Sequence, residues 1–382
     1  MLKRIIIFLL IILVLLGGLS FTPQFSHLKN FAIWGKHTIH DYKTHPTRLV
    51  ASGGAPQYWP LDSNYNKGVI PDSLMAVIDS NDTHAFIVIQ NGKLLYEKYW
   101  DGYTSKTLSG SFSAAKSMIS LLIGIALDEG KIKSLDEPVS NYVPHFKNEG
   151  LDKVRIKDLL TMSSGTNYYE FDKSYFSLNA SAYYGDDEGY LISQLKAKEP
   201  AGVNWDYRSA DTQVLGFIVE KAFGQNISEL VSERFMKPMG AEADALWLLD
   251  GNKKHEKAFC CFNGVAHDYA RFGQLVLNNG QWNGKQIVSE NYIKAATTPA
   301  SYLKDPYENG NPVDFYGYQY WIFKEQGHEV VAQNGLFGQY VYIIRDKNAI
   351  VVRLGESKVT KPIHHHQPEN FSFAAAALAL LK

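Results

Sequence analysis

Cysteine is nearly absent from this sequence, since its 382 residues include only Cys260 and Cys261, which are adjacent. Closing a disulfide between neighbours strains the peptide that joins them, and the chain offers no other cysteine as a partner. The sequence therefore excludes a disulfide between distant segments. We predict that both side chains are unbonded and serve as small buried hydrophobic groups.

An excess of charge is also absent, because 38 basic residues balance 39 acidic ones and the net charge is −1. This balance gives no electrostatic basis for binding nucleic acid. Internal repeats and Gly/Ser-rich linkers are missing as well. With 45% hydrophobic residues, the chain can bury one large core or two fused cores.

The longest apolar run stands at the N-terminus, where Lys3 and Arg4 precede an uncharged stretch from Ile5 to Leu19. Such a run is at the short limit for crossing ~30 Å of hydrocarbon, which favours a signal peptide, whereas the missing A-x-A cleavage site favours an uncleaved anchor. Both interpretations of residues 1–22 stay open, with residues 5–22 as the membrane anchor in the second. In either case the basic residues predict an exported protein whose remainder lies on the periplasmic or extracellular side.

Strand patterns occur towards both ends of the remaining chain, and helical patterns lie between them. Residues 23–72 are polar and turn-rich, and we predict an extension without clear periodicity. Asn91-Gly92 between two β-rich runs predicts a hairpin. Helical patterns dominate about 132–290. Strand patterns then return in GYQYWIF, HEVVAQN, GQYVYIIRD and AIVVRLGE, before a closing helix.

This order predicts an α/β (α+β) fold. One antiparallel sheet is formed from both chain ends and flanked by helices, and an all-helical lobe of about residues 132–290 is inserted between them. Residues 73–382 would form this domain. A functional site is expected in the cleft between the sheet and the lobe.

Ser113 and Lys116 are the first candidates for chemistry. The S-x-x-K spacing occurs four times, at Ser26, Ser113, Ser193 and Ser301, so spacing alone decides nothing. Ser113 differs because an apolar helix is predicted to begin at it, and the free N–H groups of a helix N-terminus face any negative charge that develops there. Lys116 would be partly desolvated, which lowers its pKa towards that of a proton acceptor. The alternative is a structural, salt-bridged lysine beside an N-cap serine.

An acyl-transfer site also needs a proton relay, and Tyr207-Arg208-Ser209 offers one between a turn and an amphipathic helix. Five segments then share the order and spacing of the serine β-lactamase and penicillin-binding-protein superfamily. The chain resembles its class C branch, and especially 6-aminohexanoate-dimer hydrolase and related esterases, over about residues 70–382. The segments are SFSAAKS, LLTMSSG, PAGVNWDYRSADTQVLG, AHDYARFGQLVLNNGQWNGKQIV and AQNGLFGQYVYI.

The resemblance implies a role for each matched residue. Ser113 would be the acylated nucleophile and Lys116 its proton acceptor. Tyr207 would relay protons between the nucleophile and the leaving group, and Ser209 matches the last position of the same Tyr-x-Asn/Ser motif. Lys116 and Tyr207 would then titrate as a coupled pair.

The third family motif, Lys-Thr-Gly or His-x-Gly, falls on Gln333-Asn334-Gly335. The resemblance implies that Gly335 allows close approach of the backbone, and that the N–H of Leu336 completes an oxyanion hole with the N–H of Ser113. Gln333 departs from the family pattern. In the penicillin-recognising enzymes a cation at this position assists binding of the substrate carboxylate, whereas Gln333 is neutral. The triplets S-D-N and K-T-G are absent, which argues against a class A β-lactamase.

Residues 167–190 contain six tyrosines and two phenylalanines with little periodicity. They form either a loop packed by its own aromatic side chains or an apolar rim over the cleft. The resemblance places Tyr169 near the scissile bond. His364-His365-His366 cannot all face one ion, so we expect a solvent-facing turn there rather than a metal site.

The leading hypothesis is an exported serine hydrolase that acts on a small-molecule ester or amide, without metal, organic cofactor or nucleic acid. Two alternatives stay open. The first is a DD-peptidase or β-lactamase that acts on peptidoglycan-like substrates. The second is a non-catalytic, membrane-held binding or sensor protein of the same fold.

Overall fold

The computed structural model describes residues 17–18 and 21–382. The predicted signal peptide or anchor, residues 1–22, therefore lies almost entirely outside the described residues. Within the described ranges no helix combines the length and the apolar character needed to cross a membrane.

The described chain contains the following helices and strands. The α-helices are α1 (Ser26–Trp34), α2 (Asp72–Ser80), α3 (Lys116–Asp128), α4 (Ile156–Leu160), α5 (Leu178–Tyr184), α6 (Glu188–Ser193), α7 (Ser209–Phe223), α8 (Ile227–Val231), α9 (Ala266–Leu277), α10 (Glu290–Ala296) and α11 (Pro368–Leu378). The strands are β1 (Thr47–Val50), β2 (Thr83–Gln90), β3 (Lys93–Tyr99), β4 (Ser109–Gly110), β5 (Ala245–Leu248), β6 (Phe262–Gly264), β7 (Gln281–Trp282), β8 (Lys285–Gln286), β9 (Lys304–Asp305), β10 (Asn311–Pro312), β11 (Trp321–Glu325), β12 (His328–Gly335), β13 (Gln339–Ile344) and β14 (Ala349–Gly355).

The central sheet has six antiparallel strands in the order β11-β12-β13-β14-β2-β3. It joins the two ends of the chain, because β2 pairs with β14 and places Val88 opposite Val351. The β2–β3 hairpin turns at Asn91 and Gly92, whose φ values of 53° and 71° suit that dipeptide. The predicted hairpin and the predicted sheet from both chain ends are confirmed.

Helices cover both faces of this sheet. One face carries Ile87 and Ile343 and packs in a large core with α3 and α9. The other face carries Phe86 and Tyr342 and packs against α2 and α11. The helix α3 is buried from Lys116 to Ala126, which agrees with an apolar surface all round.

The lobe requires one correction to the predicted fold, although the overall class is confirmed. The region 132–290 is not all-helical, since β5 and β6 lie in a second, four-stranded sheet with the order β1-β5-β6-β4. β1 belongs to the segment 23–72, for which we predicted an extension without clear periodicity. These strands are very short, and their partners lie far away in the sequence, so no local pattern predicted them.

The adjacent cysteines also differ from the prediction. Cys260 and Cys261 are both buried, as expected, but they are joined by a disulfide. The backbone at Cys261 is left-handed, with a φ of 81°, and this conformation accommodates a ring between the two neighbours.

Candidate active site

Ser113 lies at the junction of the second sheet and α3. A 3₁₀ turn over Phe112–Ala115 follows β4, and the α-helix begins only at Lys116, three residues later than predicted. The left-handed backbone of Phe112, with a φ of 43°, is unusual for an aromatic residue and redirects the chain at this point. Ser113 is therefore the half-buried residue of a turn whose other members, Phe112, Ala114 and Ala115, are buried.

The Lys116 side chain is buried and directed at this serine. Its ammonium donates to Ser113 Oγ at 3.1 Å, to Ser209 Oγ at 3.0 Å and to the Phe259 carbonyl at 2.6 Å. These three acceptors match the three N–H bonds of an ammonium. Burial lowers the pKa of Lys116 to about 8, against the opposing effect of nearby carboxylates. No carboxylate bonds to the Lys116 nitrogen among the described residues, so its ammonium is held by two hydroxyls and a carbonyl rather than by a salt bridge.

The Tyr207 ring lies beside the Lys116 ammonium. The ammonium is 5.2 Å from the centroid of the Tyr207 ring, and the ring packs against Trp321 with centroids 5.5 Å apart. Burial raises the pKa of Tyr207 well above its usual range, whereas the Ser113 hydroxyl lowers it. Next to it, the buried Arg208 pairs with Glu199 at 2.7 Å and fixes the segment. Tyr207 is thus held neutral beside both Ser113 and Lys116.

Ser209 has a partner that the sequence did not indicate. Its hydroxyl donates to Glu170 Oε1 at 2.8 Å, and its backbone N–H donates to Glu170 Oε2 at 2.7 Å. Burial raises the pKa of Glu170, while the charge of Lys116 lowers it. Glu170 is one of five carboxylates in the aromatic loop 167–190, and no motif distinguished it from the others in the sequence.

The third motif approaches the serine turn closely, as predicted. A Cβ at Gly335 would lie 2.0 Å from the Ser111 carbonyl oxygen and 3.2 Å from the Ala114 nitrogen. Leu336 follows directly, at the start of a 3₁₀ turn over Leu336–Gly338. The strand end and the serine turn are therefore in backbone contact, which only glycine permits at this point.

Gly335→Ala is expected to lower kcat for ester hydrolysis by about 10²- to 10³-fold, because relieving the clash moves the Leu336 N–H away from the serine turn. Steady-state kinetics with a p-nitrophenyl ester measures the effect. Gly68→Ala is the control, since a Cβ there meets only the flexible end of the Leu380 side chain. Equal activity of both variants and the wild type would contradict the contribution of this strand end.

Gln333 and Asn334 lie on opposite faces of β12. Gln333 is fully buried and its carboxamide makes no hydrogen bond of normal geometry to the described residues, while the half-buried Asn334 leaves its Oδ1 without a partner. Neither residue carries charge. The position that would clamp a substrate carboxylate is thus neutral and enclosed.

Tyr169 has a largely exposed side chain, and its place near the scissile bond stays a prediction. It is 50% exposed and its ring packs on Phe171, with centroids 6.1 Å apart. Its neighbour Glu170 turns inward instead. On the other side of the site, His37 of the N-terminal extension stacks on Phe337 at 5.6 Å. Both the extension and the loop therefore border the site.

The three histidines do not form a simple solvent-facing turn. His364 bonds to Glu308 at 2.7 Å and to Asp314 at 2.9 Å, and His365 bonds to Asp305 at 2.7 Å. His366 is buried, and this corrects the prediction for that residue. Carboxylates on β9, in the loop after it and just after β10 bond to the first two rings, whereas aromatic neighbours enclose the third.

Comparison with known proteins agrees with this geometry. The model of the β-lactamase family matches residues 82–370, which include the serine turn, Tyr207 and the end of β12. The chain belongs to the β-lactamase family. It is an enzyme of the serine hydrolase type, as the predicted resemblance implied.

Three similar proteins illustrate the likeness. The 6-aminohexanoate-dimer hydrolase of Paenarthrobacter ureafaciens is 25% identical over 316 residues, which is 78% of each chain. A solved structure from Bacillus anthracis, assigned provisionally as a 6-aminohexanoate-dimer hydrolase, has a TM-score of 0.73 at 24% identity and covers 94% of each chain. A family VIII carboxylesterase has a TM-score of 0.65 at 16% identity, covering 84% of this chain and 99% of its own. The two structural likenesses establish the shared fold.

Proposed function

We propose that this chain is an exported serine hydrolase that cleaves a small carboxylic ester or amide through an acyl-enzyme on Ser113. The observation that carries the proposal is the buried ammonium of Lys116, bonded at once to Ser113 and Ser209. A pKa of about 8 leaves a fraction of this lysine neutral near pH 7, and only the neutral form can accept the serine proton.

The proposed reaction proceeds in two steps. Ser113 Oγ attacks the substrate carbonyl carbon while Lys116 takes its proton, and the oxyanion forms between the N–H groups of Ser113 and Leu336. Tyr207, held neutral by burial, gives its proton to the leaving group and regains one from Lys116. Water then attacks the ester of Ser113 through the same residues in reverse and releases the acid.

A neutral substrate suits this site better than a β-lactam. Gln333 offers no charge to a carboxylate, and the loop 167–190, which contacts Ser209 through Glu170, exposes the aromatic side chains of Tyr169, Phe171, Tyr175 and Phe176. The Paenarthrobacter relative is named for an amide dimer, which supports linear amides as one class to test. We therefore place short esters and linear amides ahead of peptidoglycan-like substrates.

The test combines turnover with mass spectrometry. Purified wild-type protein is given p-nitrophenyl esters and linear amides, quenched within the burst, and the adduct is mapped by peptide analysis. We expect an acyl group on Ser113. Turnover with the adduct on another residue would refute the proposal, and so would the absence of both turnover and adduct.

Fluorescent penicillin decides between the first two hypotheses. Stoichiometric labelling of Ser113 without ester turnover would favour the DD-peptidase or β-lactamase alternative.

Export is tested separately, by fractionating cells that express the full chain and sequencing the N-terminus of the protein. Recovery only from the cytoplasm would contradict the proposed export and leave the chemistry intact.

A further inference from the structure

We infer that Glu170 is a positioning residue of the catalytic centre, which holds Ser209 and through it the Lys116 ammonium. It would thereby connect the aromatic loop 167–190 to the nucleophile. The inference rests on the proposed function of Ser113 and Lys116 and adds a residue and a segment that the family motifs in this sequence do not include.

The contacts form one continuous chain. Both Glu170 oxygens accept from Ser209, one from its N–H at 2.7 Å and one from its hydroxyl at 2.8 Å. Because this hydroxyl donates to Glu170, its lone pairs are left to accept from Lys116 Nζ, 3.0 Å away. The same ammonium reaches Ser113 Oγ at 3.1 Å. Glu170 therefore fixes the rotation of the hydroxyl that orients the base.

Ser209 needs this partner for a second reason. It is the first residue of α7, and its backbone N–H has no acceptor within the helix. Ser209 itself is buried, so water would not easily replace the Glu170 carboxylate there. Loss of the Glu170 carboxylate would leave both the Ser209 hydroxyl and the Ser209 N–H at the start of α7 without their acceptor.

Charge gives the inference a distinctive measurable effect. Glu170 and Asp211 raise the pKa of Lys116, while burial lowers it. Removing the Glu170 charge therefore lowers this pKa further. Since neutral Lys116 is the reactive form, the acid limb of kcat/KM should move to lower pH. The other titratable or charged groups around Lys116 and Glu170 among the described residues are Tyr207, Tyr168, Tyr316, Asp206 and Arg208.

The position of Glu170 in the loop could let substrate contact with the loop affect the orientation of Lys116. Its neighbours Tyr169 and Phe171 are 50% and 64% exposed, whereas the carboxylate between them reaches Ser209. A substrate that contacts the outward rings would act on the same short stretch of backbone. The Glu170 side chain thus links the order of the loop to the orientation of Lys116.

Glu170→Gln tests the inference, with Asp172→Asn as the matched control because Asp172 is an exposed carboxylate of the same loop. We expect the acid limb of kcat/KM for a p-nitrophenyl ester to fall by about one pH unit in Glu170→Gln. Misplacement of the base should also lower kcat about 10- to 100-fold. Asp172→Asn should match the wild type. A Glu170→Gln profile equal to the control would overturn the inference.

A second readout is independent of turnover. The pKa of Lys116 is measured by NMR on protein labelled with [ε-¹³C]lysine, with the resonance assigned by Lys116→Met. If wild-type Ser113 forms no acyl-enzyme, the proposed function fails, yet this titration still decides the role of Glu170, and an equal midpoint in Glu170→Gln overturns it. Should Glu170→Gln not fold, Glu170→Asp keeps the charge and shortens the reach, so an undiminished kcat would overturn the inference.

Discussion

Ser113→Ala is expected to lower kcat for ester hydrolysis by about 10⁵-fold or more and to abolish the acyl adduct, because no other hydroxyl occupies the turn that Lys116 and Gly335 contact. Ser111, two residues earlier, is buried and donates its hydroxyl to the Phe112 carbonyl, so it does not replace Ser113. Steady-state kinetics and intact mass spectrometry after the burst provide the measurement.

The chain supplies its own control for this substitution. Ser193 has the same S-x-x-K spacing but lies at the surface, where its hydroxyl bonds to the Tyr190 carbonyl. Ser193→Ala should keep the wild-type rate. A Ser113→Ala variant that still turned over esters at the wild-type rate would show that the site lies elsewhere and that the shared spacing misled us.

Lys116→Met is expected to reduce kcat by about 10³- to 10⁴-fold, because it removes the proton acceptor and keeps a side chain of similar length in a buried position. In the wild type, kcat/KM should rise with pH through a midpoint near the Lys116 pKa of about 8, since deprotonation produces the active form. The variant should lose this limb of the profile. The pH dependence of residual activity measures both effects.

Lys196→Met is the matched control for the lysine, because Lys196 completes the Ser193 spacing and is 61% exposed. It should retain the full profile. If Lys116→Met kept both the rate and the acid limb, another group would be the base, and the contacts of the buried ammonium would have only a structural role.

Patterns within short windows predicted much of this fold. The Asn91-Gly92 hairpin, the buried helix α3 and the late strands each depend on neighbouring residues, and the structure confirms them. The four-stranded sheet was missed because β1 and β5 pair across the sequence without a local pattern. The disulfide was missed because the usual strain between neighbours outweighed any positive indication.

In the candidate site, too, local motifs predicted some residues, whereas residues brought in by distant contacts were missed. Ser113, Lys116 and Tyr207 could be named because motifs mark them, and the structure brings all three together, although their catalytic roles stay predictions. Glu170 could not be named, since its importance comes from where the loop folds back on Ser209. The resemblance named its neighbour Tyr169, whose side chain is 50% exposed, and the place of Tyr169 near the scissile bond stays a prediction.

The pairing of β2 with β14 sets a timing requirement for biosynthesis. Val88 leaves the ribosome long before its partner Val351, so the edge of β2 that pairs with β14 stays open until β14 is made. During that interval the apolar surface of α3 has no complete sheet to cover it. Ser113 is thus made within the first third of the chain, whereas Gly335, which contacts its turn, is made near the end.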